Sequence, residues 1–232
     1  MTDPVLAYER LRARYGPQHW WPAETRFEVI VGALLMAQTA WRNVEAAIRN
    51  LKDAGILDPR RIADAPIPRL RELVAPAGLH RQKPWRLKRF CAHLVRVADG
   101  DLDRFFDRDL SQVREELLSL DGVGPETADS ILLYAARFPT FVVDAYTVRI
   151  GRRFGWFRTD SYDSVKSYFE SRVPKDVYTY REFHALLVAL AKDVCRPQPR
   201  CAACVLHDVC PHGRASAPSN RRKTRTKKNT NP

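Results

Sequence analysis

Residues 120–129 read LDGVGPETAD, and the reading of this stretch decides the fold. Glycine reaches positive φ without a Cβ penalty and lets another molecule approach the backbone, so Gly122, Val123 and Gly124 form a turn able to aim several N–H groups one way. Pro125 suits the first helical position, where its missing N–H costs nothing. The stretch therefore predicts a tight turn feeding a helix N-terminus with free donors and a positive dipole end, a ready site for a phosphate. Taken alone, it also fits an ordinary connection between two helices.

Composition adds weight to the phosphate reading. The chain has 232 residues, enough for one large domain or two small ones with a substantial core, and carries a net charge of +12. From Arg214 onward, RASAPSNRRKTRTKKNTNP holds seven Lys or Arg and no acid, leaving +5 (12 less 7) for residues 1 to 213. The segment 214–232 is low in apolar residues and is expected to be a disordered basic tail, which either binds polyanions or keeps the protein soluble. A basic body beside it favours nucleic acid as the partner. No apolar run approaches a membrane span, and MTDPVLAYERLRARYG lacks the apolar centre of a signal peptide. No membrane partner and a cytoplasmic location are expected, nucleoid-associated in a bacterium, where thiols stay reduced and clustered cysteines hold metal rather than disulfides.

Such a cluster is present. CRPQPRCAACVLHDVC places Cys195, Cys201, Cys204 and Cys210 at C-x5-C-x2-C-x5-C. Four thiolates this close suit either Zn²⁺ or a [4Fe–4S] cluster. A zinc ribbon usually shows two C-x2-C pairs, and here only the middle pair is close, which favours the iron–sulfur cluster. Cys91, in FCAHLVRV, reads as a core thiol. Arg196 and Arg200, between the first two cysteines, would clamp a phosphate if that loop is pinned by metal, or else form a solvated pair.

The hydrophobic pattern is helical almost throughout. Phe27, Ile30, Val31, Leu34 and Leu35 follow the i, i+3, i+4, i+7, i+8 rule, and Phe183, Leu186, Leu187, Leu190, Ala191 and Val194 repeat it up to Cys195. Breaks are expected at Pro59, Pro66, Pro76, Gly78, Gly100, Pro139 and Pro174. Only FVVD (141–144) resembles a strand, and the fold class expected is all-α. Asp144 ends that apolar run before a segment carrying Arg149, Arg152 and Arg153, and by position alone it is an N-cap.

Together, the glycine hairpin, the aspartate eighteen residues beyond Glu126 and the four-cysteine C-terminus resemble the helix-hairpin-helix DNA glycosylases of the endonuclease III superfamily. The resemblance runs from about Arg26 to Cys210. AQTAWRNVEAAI is similar to the early helix whose glutamine, here Gln38, fills the gap left by an extruded base. GLHRQKPWRLK is similar to the stretch before the hairpin, LDGVGPETADSILLYA to the hairpin, and VVDAYTVR to the catalytic-aspartate motif. The resemblance implies a six-helix barrel over residues 25–138, and a [4Fe–4S] domain built from residues 1–24 and 139–213. Double-stranded DNA with a damaged base would bind across the cleft, with Gln38, Gly122, Val123, Gly124, Arg196 and Arg200 in contact, and the enzyme would act as a monomer.

Two departures stand out. The first cysteine gap is five residues where the family usually has six. Glu126 occupies the position at which bifunctional members carry a lysine. That lysine forms a Schiff base with the sugar and permits strand cleavage; a carboxylate cannot. Water is then the nucleophile, with Asp144 stabilising the oxocarbenium ion, and AP lyase activity is weak or absent. Glu126 itself reads as an acid placed in the first helical turn by the dipole, worth about 0.3–1 kcal/mol. The hairpin is closer to the 3-methyladenine or N-methylpurine branch of the family. Trp20 and Trp21 of HWWP, with Trp41, would hold a cationic alkylated purine by stacking and cation–π attraction, or would simply fill a domain interface. The alternatives are an endonuclease III-type glycosylase/lyase acting on oxidised pyrimidines and a non-catalytic binder of damaged DNA.

Overall fold

The computed structural model describes residues 3 to 216, so the basic tail beyond Ser216 lies outside the described residues. The elements among them are helical, in the order α1 (Pro4–Tyr15), α2 (Arg26–Leu35), α3 (Trp41–Asp53), α4 (Pro59–Asp64), α5 (Ile67–Leu73), α6 (Gln82–Ala98), α7 (Leu102–Phe106), α8 (Leu110–Ser119), α9 (Pro125–Ser130), α10 (Ala145–Phe154), α11 (Tyr162–Glu170), α12 (Val177–Asp193) and α13 (Pro211–Ala215). A wide π-helical turn over Ile131–Ala135 extends α9. The final helix takes in Arg214 and Ala215, which composition alone assigns to the tail.

Helix α2 is the axis of the molecule. The sequence predicts one apolar stripe on it, but every residue from Phe27 to Leu35 is buried, Glu28 included, because α3, α6, α9 and the π-turn pack around it. A helix covered on all sides needs no polar face. Glu28 is stabilised there by Lys52, whose Nζ lies 3.0 Å away. Helix α12 is a second centre, burying Tyr180, Phe183, Leu186, Leu187 and Leu190. Helix α1 folds back onto it, with Tyr8 and Phe183 5.4 Å apart.

The expected breaks fall where their chemistry places them. Pro59 opens α4 behind Asp58, whose side chain caps Arg60 and Arg61, and Gly78 and Gly100 turn with positive φ. FVVD, however, is not a strand: there is no strand among the described residues. Phe141, Val142 and Val143 run extended and buried, and side chains of α11 substitute for a neighbouring strand. The Phe141 N–H donates to Glu170 Oε1 at 2.8 Å, and the Val143 N–H to the Tyr162 hydroxyl at 3.4 Å.

A buried ion cluster anchors this arm. Asp129 on α9 is wholly buried. It accepts from Arg114 Nε of α8 at 2.9 Å, Lys166 Nζ of α11 at 3.1 Å and Thr140 Oγ1 of the arm at 3.2 Å. Deleting one partner of such a cluster strands the others without counter-charge. Asp129→Ala is expected to lower the unfolding free energy by about 3–5 kcal/mol, read from urea denaturation, whereas Glu72→Ala in the exposed Arg69 pair should change it by under about 1 kcal/mol.

Candidate active site

The turn between α8 and α9 is built as its glycines suggest. Gly122 has φ +83°, and the space a Cβ would need is filled by the Arg86 side chain of α6. The N–H groups of Gly122 and Gly124 make no hydrogen bond among the described residues. Val123 differs: its side chain is buried and its N–H closes the turn on the Leu120 carbonyl at 3.0 Å, so only the glycines keep donors to offer. Asp121 is neutralised by Arg89.

Asp144 is the N-cap that its position predicts, and it does more. Oδ1 accepts from the Thr147 N–H at 2.7 Å and from the Thr147 hydroxyl at 2.8 Å, which fixes the start of α10. Oδ2 faces His184 Nε2 of α12 at 3.6 Å. Burial alone would push this carboxyl up, but the His184 contact and the Thr147 bonds outweigh it and hold Asp144 below the usual carboxylate range. His184 Nδ1 in turn lies 2.8 Å from the Tyr134 hydroxyl, which also reaches the Arg181 carbonyl at 3.3 Å.

Glu126 stands in the first turn of α9, open to solvent. Water reaches it, yet the surrounding walls strip part of its hydration. That loss, followed by repulsion from Asp144, raises its pKa, while His184 acts in the other direction. Two carboxyls therefore lie within electrostatic reach of one another with their affinities for a proton pushed apart.

The three tryptophans meet beside Tyr134, the partner of His184. Trp20 and Trp41 rings lie 4.9 Å apart, Trp21 and Trp41 5.5 Å, and Trp21 and Tyr134 5.4 Å. All three are half-buried. The Trp21 indole rests on Gly32 of α2, where a Cβ would stand 3.0 Å from the ring. Arg181 lies over the Tyr134 ring at 5.5 Å and donates to the Trp20 carbonyl at 3.2 Å. Gln38 is not on a helix: it sits exposed in the turn between α2 and α3 with φ +55°. The apolar run stops at Leu35, and without a glycine or proline in MAQTAW nothing in the sequence marks that end.

The cysteines gather at the other end of α10. Cys195, Cys201, Cys204 and Cys210 line one apolar pocket together with Arg153, His207 and His212. Among the described residues no three His, Cys, Asp or Glu groups converge as a single metal ion requires. Burial first, and then repulsion from the other three cysteines, pushes the Cys204 thiol up to about 11, so four thiolates here call for cationic compensation. Arg153 of α10 donates to Cys195 Sγ at 3.1 Å and to the Arg196 and Pro197 carbonyls at 2.7 and 2.8 Å. Arg149 reaches the Cys195 carbonyl at 3.0 Å. Arg196 and Arg200 are exposed, but each guanidinium donates to a carbonyl at the end of α12, Lys192 at 2.9 Å and Asp193 at 2.6 Å. Cys91 is buried in α6, as a core thiol.

Sequence reasoning assigned no role to His184, Tyr134, Arg181 or Asp129. The only local signals were a histidine inside the apolar stripe of α12 and a tyrosine inside ILLYA.

Comparison with known proteins agrees with this geometry. Residues 31–175 match the model of the HhH-GPD superfamily base excision DNA repair protein. A putative DNA repair glycosylase of Methanocaldococcus jannaschii is 45% identical over 206 residues, covering 88% of this chain and 93% of the relative. The structure of the H. pylori 3-methyladenine DNA glycosylase bound to 1,N6-ethenoadenine superposes with a TM-score of 0.74 at 27% identity, covering 82% of this chain and 98% of that one. A trapped covalent intermediate of endonuclease III with DNA gives a TM-score of 0.80 at 24% identity, with 93% and 99% covered, which establishes a common fold. The all-helical chain, with its glycine hairpin and its capped aspartate, belongs to the HhH-GPD superfamily of base excision DNA repair proteins.

Proposed function

We propose that this protein is a monofunctional DNA glycosylase that removes alkylated purines from double-stranded DNA, with Asp144 as the catalytic carboxylate. The observation that carries the reading is the pairing of Glu126 and Asp144. Where an amine nucleophile would have to stand there is a carboxyl, and beside it an aspartate is held ionised in a largely buried site. Asp144 stabilises the sugar as the N-glycosidic bond breaks and its electron pair leaves with the base. Water adds to C1′ and gives up its proton to the Asp144 carboxylate, from which it passes to solvent, leaving an abasic site in an uncut strand. A cationic N-methylpurine departs neutral, so it needs little help from an acid. Trp20, Trp21 and Trp41 form the base pocket, and their indole faces favour a cation. The similarity to a 3-methyladenine glycosylase supports the same substrate class.

Among the described residues, Lys83 does not serve as a surrogate amine. Burial lowers Lys83 to about 8, as a Schiff-base lysine requires, but its side chain is fully enclosed and its Nζ is bonded to the Ala77 carbonyl at 2.6 Å.

On the DNA, the glycine N–H groups of the hairpin receive a phosphate, Gln38 fills the space vacated by the extruded base, and Arg196 and Arg200 meet the backbone next to the cysteine loop. Residues 25–138 act as the barrel, and both chain ends form the domain that carries the cysteines. The four thiols that line one pocket, with only the middle pair closely spaced in sequence, support a [4Fe–4S] cluster over a single zinc ion, and Arg153 on Cys195 would help offset its charge. Bound there, the cluster would cross-link the loop by four Fe–S bonds; Arg149 and Arg153 brace that same loop from α10. No described helix is long and apolar enough to cross a membrane, and a cytoplasmic or nucleoid-associated monomer is the setting proposed.

Asp144→Asn keeps a competent cap, since asparagine serves at an N-cap as well as aspartate. It is expected to fold and bind lesion-containing duplex with near-unchanged affinity, while single-turnover base release falls by about 10²-fold or more; release at the wild-type rate would exclude Asp144 from catalysis. Gly122→Ala, which places a methyl against Arg86 at positive φ, should cost about 1–2 kcal/mol of stability and weaken binding to every duplex alike in a gel-shift titration. Protein purified without air should absorb visible blue light and lose that band in the Cys204→Ala variant, whereas a colourless, zinc-loaded protein would replace the cluster with the metal ion.

A further inference from the structure

His184 has a proton arrangement that its neighbours nearly dictate. Its Nε2 is buried, has no hydrogen-bond partner and lies 3.6 Å from Asp144 Oδ2. Its Nδ1 is 2.8 Å from the Tyr134 hydroxyl, which is 3.3 Å from the Arg181 carbonyl. A hydroxyl carries one proton. If Tyr134 gives it to Arg181, it can only accept from His184, so Nδ1 bears an N–H. A neutral ring would then turn a lone pair toward the Asp144 carboxylate, and attraction requires a second proton on Nε2. If Tyr134 gives its proton to Nδ1 instead, the single ring N–H sits on Nε2. The arrangements that favour an ionised Asp144 point a proton from Nε2 at Oδ2.

We propose that His184 is a positioning residue that keeps Asp144 ionised and turns its free oxygen toward the reacting sugar, with Tyr134 setting the plane of the ring. This rests on the reading of Asp144 as the catalytic carboxylate. Oδ1 is fully occupied by Thr147, so Oδ2 alone can meet the developing cation, and His184 is the group that faces it. Among the described residues, charged or titratable groups near the pair include Glu126 on α9, Tyr134 on the π-turn, and Arg181 and Glu182 on α12. Glu126 repels Asp144. Without His184, the largely buried Asp144 would face the repulsion of Glu126 with only the Thr147 bonds to favour charge.

The sign follows from Asp144. Its depressed affinity for protons means that the active, ionised form persists as pH falls, until the pH passes through a value below the usual carboxylate range. With His184 removed, burial dominates and that limb moves up. The test combines ¹³C-carboxyl NMR titration of Asp144 with single-turnover base release from pH 8 to pH 5, in wild type, His184→Gln and Tyr134→Phe. The wild-type rate should be flat across this window. H184Q should show a carboxyl midpoint shifted upward and lose about tenfold in rate at pH 5 relative to pH 8, since each pH unit below a required pKa costs about tenfold. Y134F keeps the histidine and should shift the midpoint in the same direction by less; should H184Q fail to fold, this shift decides. An unmoved midpoint in the variants overturns the proposal, even if base release is intact. A moved midpoint in a protein that releases no base from any lesion supports it and sinks the glycosylase reading instead.

Discussion

Asp129 accepts hydrogen bonds from an arginine, a lysine and a threonine on three separate elements while wholly excluded from water. In that setting a carboxylate is tolerable only with its counter-charges in place, and the counter-charges only with it. The cluster therefore fixes α8, α9, α11 and the extended arm relative to one another. That arm ends in Asp144, and α9 begins at the hairpin. The glycine turn and the carboxylate proposed to be catalytic are thus two ends of one braced assembly, and the distance between them cannot drift without breaking buried ion pairs.

Asp144 inherits that rigidity and divides its two oxygens between tasks. One caps α10, so the helix start and the carboxylate define each other's position. The other is left to the cleft beside His184. The same helix carries Arg149 and Arg153 down to the cysteine loop, so the site and the cysteine cavity are tied to a single ten-residue rod. Preorganisation of this kind lets electrostatic stabilisation act without reorganisation at the moment of reaction. The aromatic side of the site follows the same logic, since Gly32 lets Trp21 approach α2 closely and Tyr134 joins the indoles to the His184 contact.

Features that chemistry makes local were legible in the sequence. The glycine hairpin announces itself because only glycine suits φ +83° at Gly122 against Arg86. The cysteines are readable by spacing, and Asp144 by its place between an apolar run and a helix. What could not be read depends on distant partners. FVVD carries a strand-like pattern because it is extended and buried, but its hydrogen bonds go to Glu170 and Tyr162, some twenty to thirty residues on. Gln38 looks helical from its neighbours and sits in a turn with positive φ. Val123 seemed a donor with its glycines, yet its N–H is spent within the turn. Tyr134 and His184 are fifty residues apart and meet only because α12 packs beside the π-turn.

The central claim, water rather than an amine as the nucleophile on an alkylated purine, is tested most directly by strand scission with and without hot alkali. One duplex would hold 7-methylguanine or 3-methyladenine and another an oxidised pyrimidine. The account predicts breaks on the methylated duplex only after alkali, with no adduct trapped by borohydride. Breaks without alkali on the oxidised duplex, accompanied by a trapped covalent complex, would show that an amine does what Glu126 cannot, and would contradict it.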